Sequence, residues 1–163
     1  MKILDIGAGT GCIGISLGRY LKNAGVTLLD VSKEAIDISQ KNADINHVTV
    51  SLLCKDILKD DITGKYDIVV SNPPYIETQV INTLDDNVRL FEPLTALDGG
   101  GDGLMFYRRI AALDILKKDG MMFFEIGHDQ CDVVKEIMQD GFYGIGSRKD
   151  LCGIQRIIFG RKK

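Results

Sequence analysis

Lys2-Ile3-Leu4-Asp5-Ile6-Gly7-Ala8-Gly9-Thr10-Gly11 opens the chain, and its reading decides the fold class. Residues 2–6 form a short, mostly apolar run of the kind that makes a buried strand. Glycines then follow at alternate positions, where the backbone can turn with positive φ and pass close to a ligand. Cys12 to Leu21 next carries apolar residues at helical spacing. Strand, glycine turn and helix, in that order, open a nucleotide-binding α/β unit whose helix N-terminus faces the occupant of the turn.

Outward from this unit the alternation continues. Val26 to Val31 predicts a second strand, and Ser32 is placed to cap a helix that runs to about Ile45. Val48 to Cys54 and Tyr66 to Ser71 predict the third and fourth strands. An irregular section from Ile76 to Gly103 follows, and loops of that length in a compact domain are uncommon and usually functional. Leu104 to Leu116 predicts a helix stopped by Lys117-Lys118-Asp119-Gly120. Met121 to Ile126 predicts a fifth strand and Gln130 to Gln139 a helix, while Phe142 to Ser147 and Ile154 to Phe159 predict a closing hairpin. Strands alternating with helices imply a mostly parallel sheet covered on both faces, and the hairpin adds antiparallel pairing to it.

Composition narrows the class. A length of 163 residues suits one domain, and 45% hydrophobic residues supply a core. The apolar runs are too short to span a bilayer, and Asp5 with the glycines interrupts any signal-peptide pattern, so a cytoplasmic protein without membrane attachment is expected. A net charge of -3 argues against broad nucleic-acid binding, which needs a basic face. Cys12, Cys54, Cys131 and Cys152 are scattered without a CxxC pair and are expected to be reduced, mostly buried thiols. His47 and His128 lie far from any ligand-spaced partner and read as surface or loop residues, so no metal site is expected.

A second stretch carries chemistry. Ser71-Asn72-Pro73-Pro74-Tyr75 lies at the end of the fourth strand, on the rim where open α/β sheets bind ligands. Each proline fixes its own φ and pushes the preceding residue toward extended geometry. Asn72 and Pro73 are therefore held extended on a stiff segment. There the Asn72 side-chain oxygen and the Pro73 carbonyl converge as two acceptors, which suits an –NH2 group with two hydrogens to give. The competing reading is an Asn-Pro turn that merely ends a strand.

The glycine turn alone leaves its ligand open. Gly9-x-Gly11-x-x-Gly14 with Asp30 about 20 residues on also fits the dinucleotide fingerprint, so a dehydrogenase competes. Against it, no Tyr-Lys pair or catalytic His is evident, and Asp5-x-Gly7-x-Gly9-x-Gly11 resembles motif I of S-adenosylmethionine (SAM) dependent methyltransferases. That resemblance implies a Rossmann-like fold with a mostly parallel seven-stranded sheet and a C-terminal antiparallel hairpin. It also assigns the turn Gly7-Ala8-Gly9-Thr10-Gly11 to the cofactor, with Asp5 accepting from the SAM ammonium group directly or through water. Asp30, followed by Val31, becomes the acceptor for both ribose hydroxyls, or else a turn carboxylate. Asp56 resembles the acidic residue that meets the adenine amino group, with Ile57 on the base, or else it caps a helix. Lys59-Asp60-Asp61 reads as solvated charge.

Asn-Pro-Pro-Tyr occurs in methyltransferases that modify an exocyclic or side-chain –NH2. Phe91-Glu92-Pro93-Leu94-Thr95-Ala96-Leu97-Asp98-Gly99-Gly100-Gly101-Asp102-Gly103-Leu104 resembles the E-P-x-x-A-L-x-G-G-x-D-G-L segment of release-factor glutamine methyltransferases. Glu125-Ile126-Gly127-His128-Asp129-Gln130 resembles that family's E-I-G-x-x-Q, and Arg148-Lys149-Asp150-Leu151-Cys152-Gly153 with Arg156 its closing K-D-L-x-G-x-x-R. The resemblance implies that 1–163 is the catalytic domain, without the family's N-terminal helical substrate-docking domain. It further implies SAM as methyl donor, the Gly-Gly-Gln loop of peptide-chain release factors as substrate, and Asn72, Pro73, Pro74 and Tyr75 as catalytic residues. Glu92 and Asp102 then order the long loop or meet the substrate. Two other readings stand beside it: an adenine or guanine amino-group methyltransferase acting on nucleic acid, and a truncated SAM-binding module with little activity.

Overall fold

A computed structural model of the chain describes residues 1–89 and 92–163. Phe91, where the long-loop segment begins, lies outside the described residues. Among those described, seven strands form one sheet in the order β3-β2-β1-β4-β5-β7-β6. The strands are β1 (Lys2–Ile6), β2 (Gly25–Asp30), β3 (Val50–Cys54), β4 (Tyr66–Ser71), β5 (Leu116–Glu125), β6 (Phe142–Lys149) and β7 (Gln155–Lys162). β1 to β5 run parallel, and β7 lies antiparallel between β5 and β6. That antiparallel insertion separates this sheet from the fully parallel dinucleotide-binding order and matches the expected closing hairpin.

Helices α1 (Cys12–Tyr20) and α2 (Lys33–Ile45) cover one face, and α3 (Met105–Ala112) and α4 (Cys131–Met138) the other. Strand alternation divides the core between them. Ile3, Val26 and Leu28 pack with Ile15 and Ala43 on the α1/α2 side, whereas Leu4, Ile6, Val69, Met122 and Phe124 pack with Tyr107, Ile110 and Val134 on the other. Asp5 alternates onto the α1 face with Ile3. Ser32 caps α2 as expected, its hydroxyl accepting from the Ala35 N–H at 3.2 Å.

Three expectations need correction. The helix predicted over 104–116 ends at Ala112, and Leu116 already belongs to β5, paired with Tyr66. Ile115 and Leu116 are buried in the cluster that α3 shares with the sheet, and the Ile115 carbonyl accepts from the Tyr66 N–H. Lys117 to Gly120 is an irregularity within β5, where the register with β4 shifts and Asp119 takes a positive φ. The section 76–103 is not structureless: Ile81–Thr83, Asp86–Arg89 and Leu94–Leu97 form helical turns, and Ile76 bridges Asp98 beside β4. The cysteines are free but not mostly buried, since Cys12, Cys54 and Cys152 are exposed. No helix among the described residues is long and apolar enough to cross a membrane.

The chain reverses its course along the sheet between β1 and β4. From β1 it builds outward to β2 and β3, then returns to place β4 on the other side of β1. Crevices open at such switch points, at the carboxyl ends of the strands. The glycine turn and the diproline segment are the continuations of these two neighbouring strands.

Candidate active site

The crevice is built from the ends of β1, β2 and β4. Ile6 pairs with Leu29 on one side and Ser71 on the other, so Gly7, Asp30 and Asn72 emerge side by side. A Cβ built on Gly7 would stand 4.0 Å from the Asn72 carbonyl oxygen, which places the two segments on one rim. Ser71 is 2% exposed and its hydroxyl donates to the Ile6 carbonyl at 2.8 Å, tying β4 to β1 just before the diproline.

The glycines of the turn divide by function. A Cβ at Gly9 would meet nothing within 4 Å, so this position faces open space. At Gly11 it would meet Ile15 at 2.7 Å, and at Gly14 it would meet Leu28 at 2.4 Å. Those two glycines let α1 pack onto β2. Ala8 is also core, 8% exposed and packed with Ile3 and Ile15. Thr10 is exposed, and its carbonyl accepts from the Asn42 side chain of α2 at 2.8 Å. Val31 is 54% exposed beyond the end of β2.

The carboxylates sit differently from one another. Asp30 accepts from the Gly9 N–H at 2.8 Å through Oδ2 and from the Ser32 N–H at 2.9 Å through Oδ1. Each oxygen keeps a second lone pair for another donor, so the turn reading and the ligand reading coexist. Asp5 is 1% exposed beneath the turn, and its Oδ2 accepts from the Gly14 N–H at 2.8 Å. Burial pushes the Asp5 carboxyl up to about 6; the Gly14 hydrogen bond pulls against that, and the Asp30 charge adds to it. Asp56 accepts from the Leu58 N–H and pairs with Lys59 at 2.8 Å, and the Lys59 ammonium holds its carboxyl below the usual range. No helix follows Asp56, so the helix-cap alternative is corrected: residues 57–59 form a turn, and the Asp56 carboxylate closes it through the Leu58 N–H. Ile57 is 6% exposed and belongs to the core on the α3 side, with its carbonyl held by Arg109.

In the diproline segment Asn72 is exposed, Pro73 buried, and Pro74 and Tyr75 half-buried. The Asn72 carboxamide makes no hydrogen bond to another described residue. Its neighbours are held firmly. Gly99 and Gly103 lie against Pro74 and Tyr75 so closely that a Cβ would come within 2.9 Å of the Pro74 carbonyl oxygen and 2.4 Å of the Tyr75 carbonyl oxygen, respectively. The Asp98-Gly99-Gly100 stretch is in turn bound to the chain beyond Tyr75: Gly99 N–H donates to the Ile76 carbonyl and Thr78 N–H to the Gly100 carbonyl. Asp102 pairs with Arg108 at 2.6 Å and accepts from the Leu104 N–H, so it orders the start of α3. Glu92 is exposed. In the hairpin, Asp150 accepts from the Cys152 and Ile154 N–H groups and from Arg156. The closing K-D-L-x-G-x-x-R pattern is therefore a turn lock.

Sequence reasoning gave no role to Gly99, Gly103, Gly127, Tyr107 or Gln130, which surround Tyr75. Their glycine-rich spacing was the available signal, but only the fold shows that three separated segments meet one backbone.

The profile of the methyltransferase small domain family matches residues 1–109. The chain belongs to that family. Among curated relatives of this methyltransferase domain, the release factor glutamine methyltransferase of Clostridium acetobutylicum is 40% identical over 96% of this chain and 58% of its own length. That of Lactococcus lactis is 39% identical over 100% of this chain and 59% of its own. The chain thus spans under two thirds of the length of these relatives. Solved structures share the fold: a methyltransferase from Pyrococcus furiosus has a TM-score of 0.71 at 19% identity, covering 98% of this chain and 74% of that one. The ribosomal protein L11 methylase from Lactobacillus delbrueckii has a TM-score of 0.68 at 20% identity, covering 99% and 70%. The chain shares with these methyltransferases their fold, here a mostly parallel seven-stranded sheet with an antiparallel hairpin at the C-terminal end.

Proposed function

We propose that this domain transfers a methyl group from SAM to the side-chain amide nitrogen of a glutamine, the Gln of the Gly-Gly-Gln loop of peptide-chain release factors. One observation carries the reading: the Asn72-Pro73 segment stands beside Gly7 at the β1/β4 switch point, with the diproline and the glycine turn on one rim. The relatives' names supply the substrate class, and the diproline chemistry agrees with it.

The residues present fit an adenosyl ligand. Gly9 faces open space where its Cβ would stand, and Asp30 at the end of β2 offers lone pairs to ribose hydroxyls while it steadies the turn through the Gly9 N–H. Gly7, Thr10 and Gly11 shape the turn, Val31 presents an apolar side chain at its edge, and the buried charge of Asp5 lies below it for an ammonium group. Asp56 and Ile57 flank the adenine end in this reading, with the Ile57 side chain largely committed to the core. SAM supplies, when bound, a methyl group on a sulfonium leaving group.

The protein's part is to make a poor nucleophile react. A carboxamide nitrogen delocalises its lone pair into its own carbonyl. Hydrogen bonds from its two N–H groups to the Asn72 oxygen and the Pro73 carbonyl orient the nitrogen and favour the positive charge it acquires as the new N–C bond forms. The surplus proton then passes to these acceptors or to water. Tyr75 packs against the flat amide and limits its rotation, which is a proximity contribution.

The test is mass spectrometry of a Gly-Gly-Gln release factor incubated with this protein and methyl-labelled SAM, with DNA and ribosomal RNA as parallel substrates. A gain of one methyl group on the glutamine is expected. Label on nucleic acid alone would replace this reading with the base-modifying one, and SAM binding without any transfer would leave only a binding module.

Asp30→Ala is expected to weaken SAM binding by about 10- to 100-fold, the loss of two hydrogen bonds to a charged acceptor. Isothermal titration against wild type measures it. An unchanged Kd would return Asp30 to a turn carboxylate only.

A further inference from the structure

Gln130 stands immediately before α4, at the cap position, yet its side chain makes no bond to the N–H groups of that helix. It reaches across instead to three other segments. Nε2 donates to the Tyr75 carbonyl at 3.0 Å and to the Gly103 carbonyl at 3.3 Å. Oε1 accepts from the Gly127 N–H at 3.0 Å and lies 3.3 Å from the Tyr107 hydroxyl, which also donates to the Glu125 carbonyl at 2.9 Å. Two carbonyls on one side and an N–H on the other leave the amide a single workable orientation. Both hydrogens and the oxygen of the carboxamide are thus engaged.

The surroundings are shaped around this side chain. A Cβ at Gly103 would lie 2.9 Å from Gln130 Nε2, and one at Gly127 would lie 3.1 Å from Gln130 Oε1 and 3.3 Å from the Tyr75 ring. Gly103, Gly127 and Tyr107 are buried. Hydrogen bonds in such a setting are strong, and the loss of one is costly. The diproline segment is therefore held at both ends: by Ser71 on the β4 side and by Gln130 at the Tyr75 carbonyl. Between these anchors the prolines leave few free torsions.

We propose that Gln130 is a positioning residue for methyl transfer: its carboxamide fixes the Tyr75 peptide and, through the stiff diproline, the direction in which Asn72 and Pro73 present their oxygens. This deepens the proposed function and rests on its reading of those oxygens as acceptors. Gln130 touches neither reacting atom; it acts through the backbone.

Two variants test it. Gln130→Met keeps length and volume but has nothing to donate. Hydrogen–deuterium exchange of residues 72–78 is expected to quicken while β1 and β2 stay protected, SAM affinity is expected to hold, and kcat to fall on the order of 10²-fold. Gln130→Glu turns the donor edge into an acceptor facing two carbonyls when ionised, and restores one donor when protonated. Its turnover relative to wild type, measured well below both melting temperatures, is expected to rise as pH falls from about 8 to 6, because those carbonyls raise the glutamate pKa above its usual range. A side chain that only stabilised the fold would give a ratio independent of pH. Unchanged exchange over 72–78 in Gln130→Met overturns the positioning role whatever the turnover, as does an unchanged kcat beside an active wild type. A wild-type protein that methylates no release factor overturns the proposed function instead, and the exchange measurement still decides what Gln130 does to the loop.

Discussion

Asn72→Ala is expected to bind SAM as wild type does, to melt at the same temperature, and to lose about 10²- to 10³-fold in kcat. The three outcomes follow from one observation. The Asn72 carboxamide is exposed and makes no hydrogen bond to another described residue, so its removal strips nothing from the fold. Surface truncations of that kind usually change stability by less than about 0.5 kcal/mol. The glycine turn and Asp30 are likewise untouched, because Gly9 is held by Asp30 and not by Asn72. On the proposed function, what disappears is one of two acceptors for the substrate –NH2, an interaction that strengthens as charge develops on nitrogen. Losing such a preorganised partner costs about 2.7–4 kcal/mol of transition-state stabilisation. The Pro73 carbonyl remains, so a residual rate is expected. Single-turnover methyl transfer with saturating SAM, beside calorimetric SAM binding, reads all three. Wild-type kcat in the variant would remove the acceptor role and leave the diproline as a strand terminator.

The parts of this site legible in the sequence are those whose cause is local. A diproline stiffens its own neighbourhood, alternate glycines make their own turn, and Ser32 caps the helix that starts at the next residue. The parallel sheet was legible because alternation of strand and helix admits few topologies, and the switch point between β1 and β4 follows from the order in which they pair. What stayed hidden is non-local. Gly11 and Gly14 look alike in a fingerprint, but packing sets them against Ile15 and Leu28 respectively, whereas Gly9 faces open space. Helical spacing continued through Ile115 and Leu116, yet the chain leaves the helix at Ala112, and both side chains fill the same buried cluster as Ile110 and Ala111 from the start of β5. Gln130 illustrates the limit most clearly. No spacing rule links it to Tyr75, which lies 55 residues away in the chain.

Asp5→Asn is expected to change how stability responds to pH, with the sign opposite to ordinary acid denaturation. In the unfolded chain the Asp5 carboxyl titrates near 3.8, and in the fold burial pushes it up to about 6. Between those values the folded state holds the proton more tightly, so stability falls as pH rises. The contribution is fully present below pH 3.8 and is lost as pH passes about 6. A shift of this size corresponds to roughly 3 kcal/mol. Asp67, Asp102 and Asp114, held below the usual range by Lys117, Arg108 and Lys65, give slopes of the opposite sign at lower pH. The difference between variant and wild type cancels them. Asparagine keeps an oxygen for the Gly14 N–H and carries no charge, so the variant is expected to gain on wild type steadily from about pH 4 to pH 6, by roughly 2–3 kcal/mol, in urea denaturation at fixed temperature. Parallel pH curves would show that Asp5 is not the source. In the proposed function the buried Asp5 carboxylate has a second partner besides the Gly14 N–H. If that partner is the ammonium end of SAM, the same variant binds SAM more weakly while standing more firmly without it, the trade expected where a site is built at the expense of stability. Equal SAM affinity in the two proteins would separate the charge of Asp5 from the cofactor and leave it as the anchor of Gly14 alone.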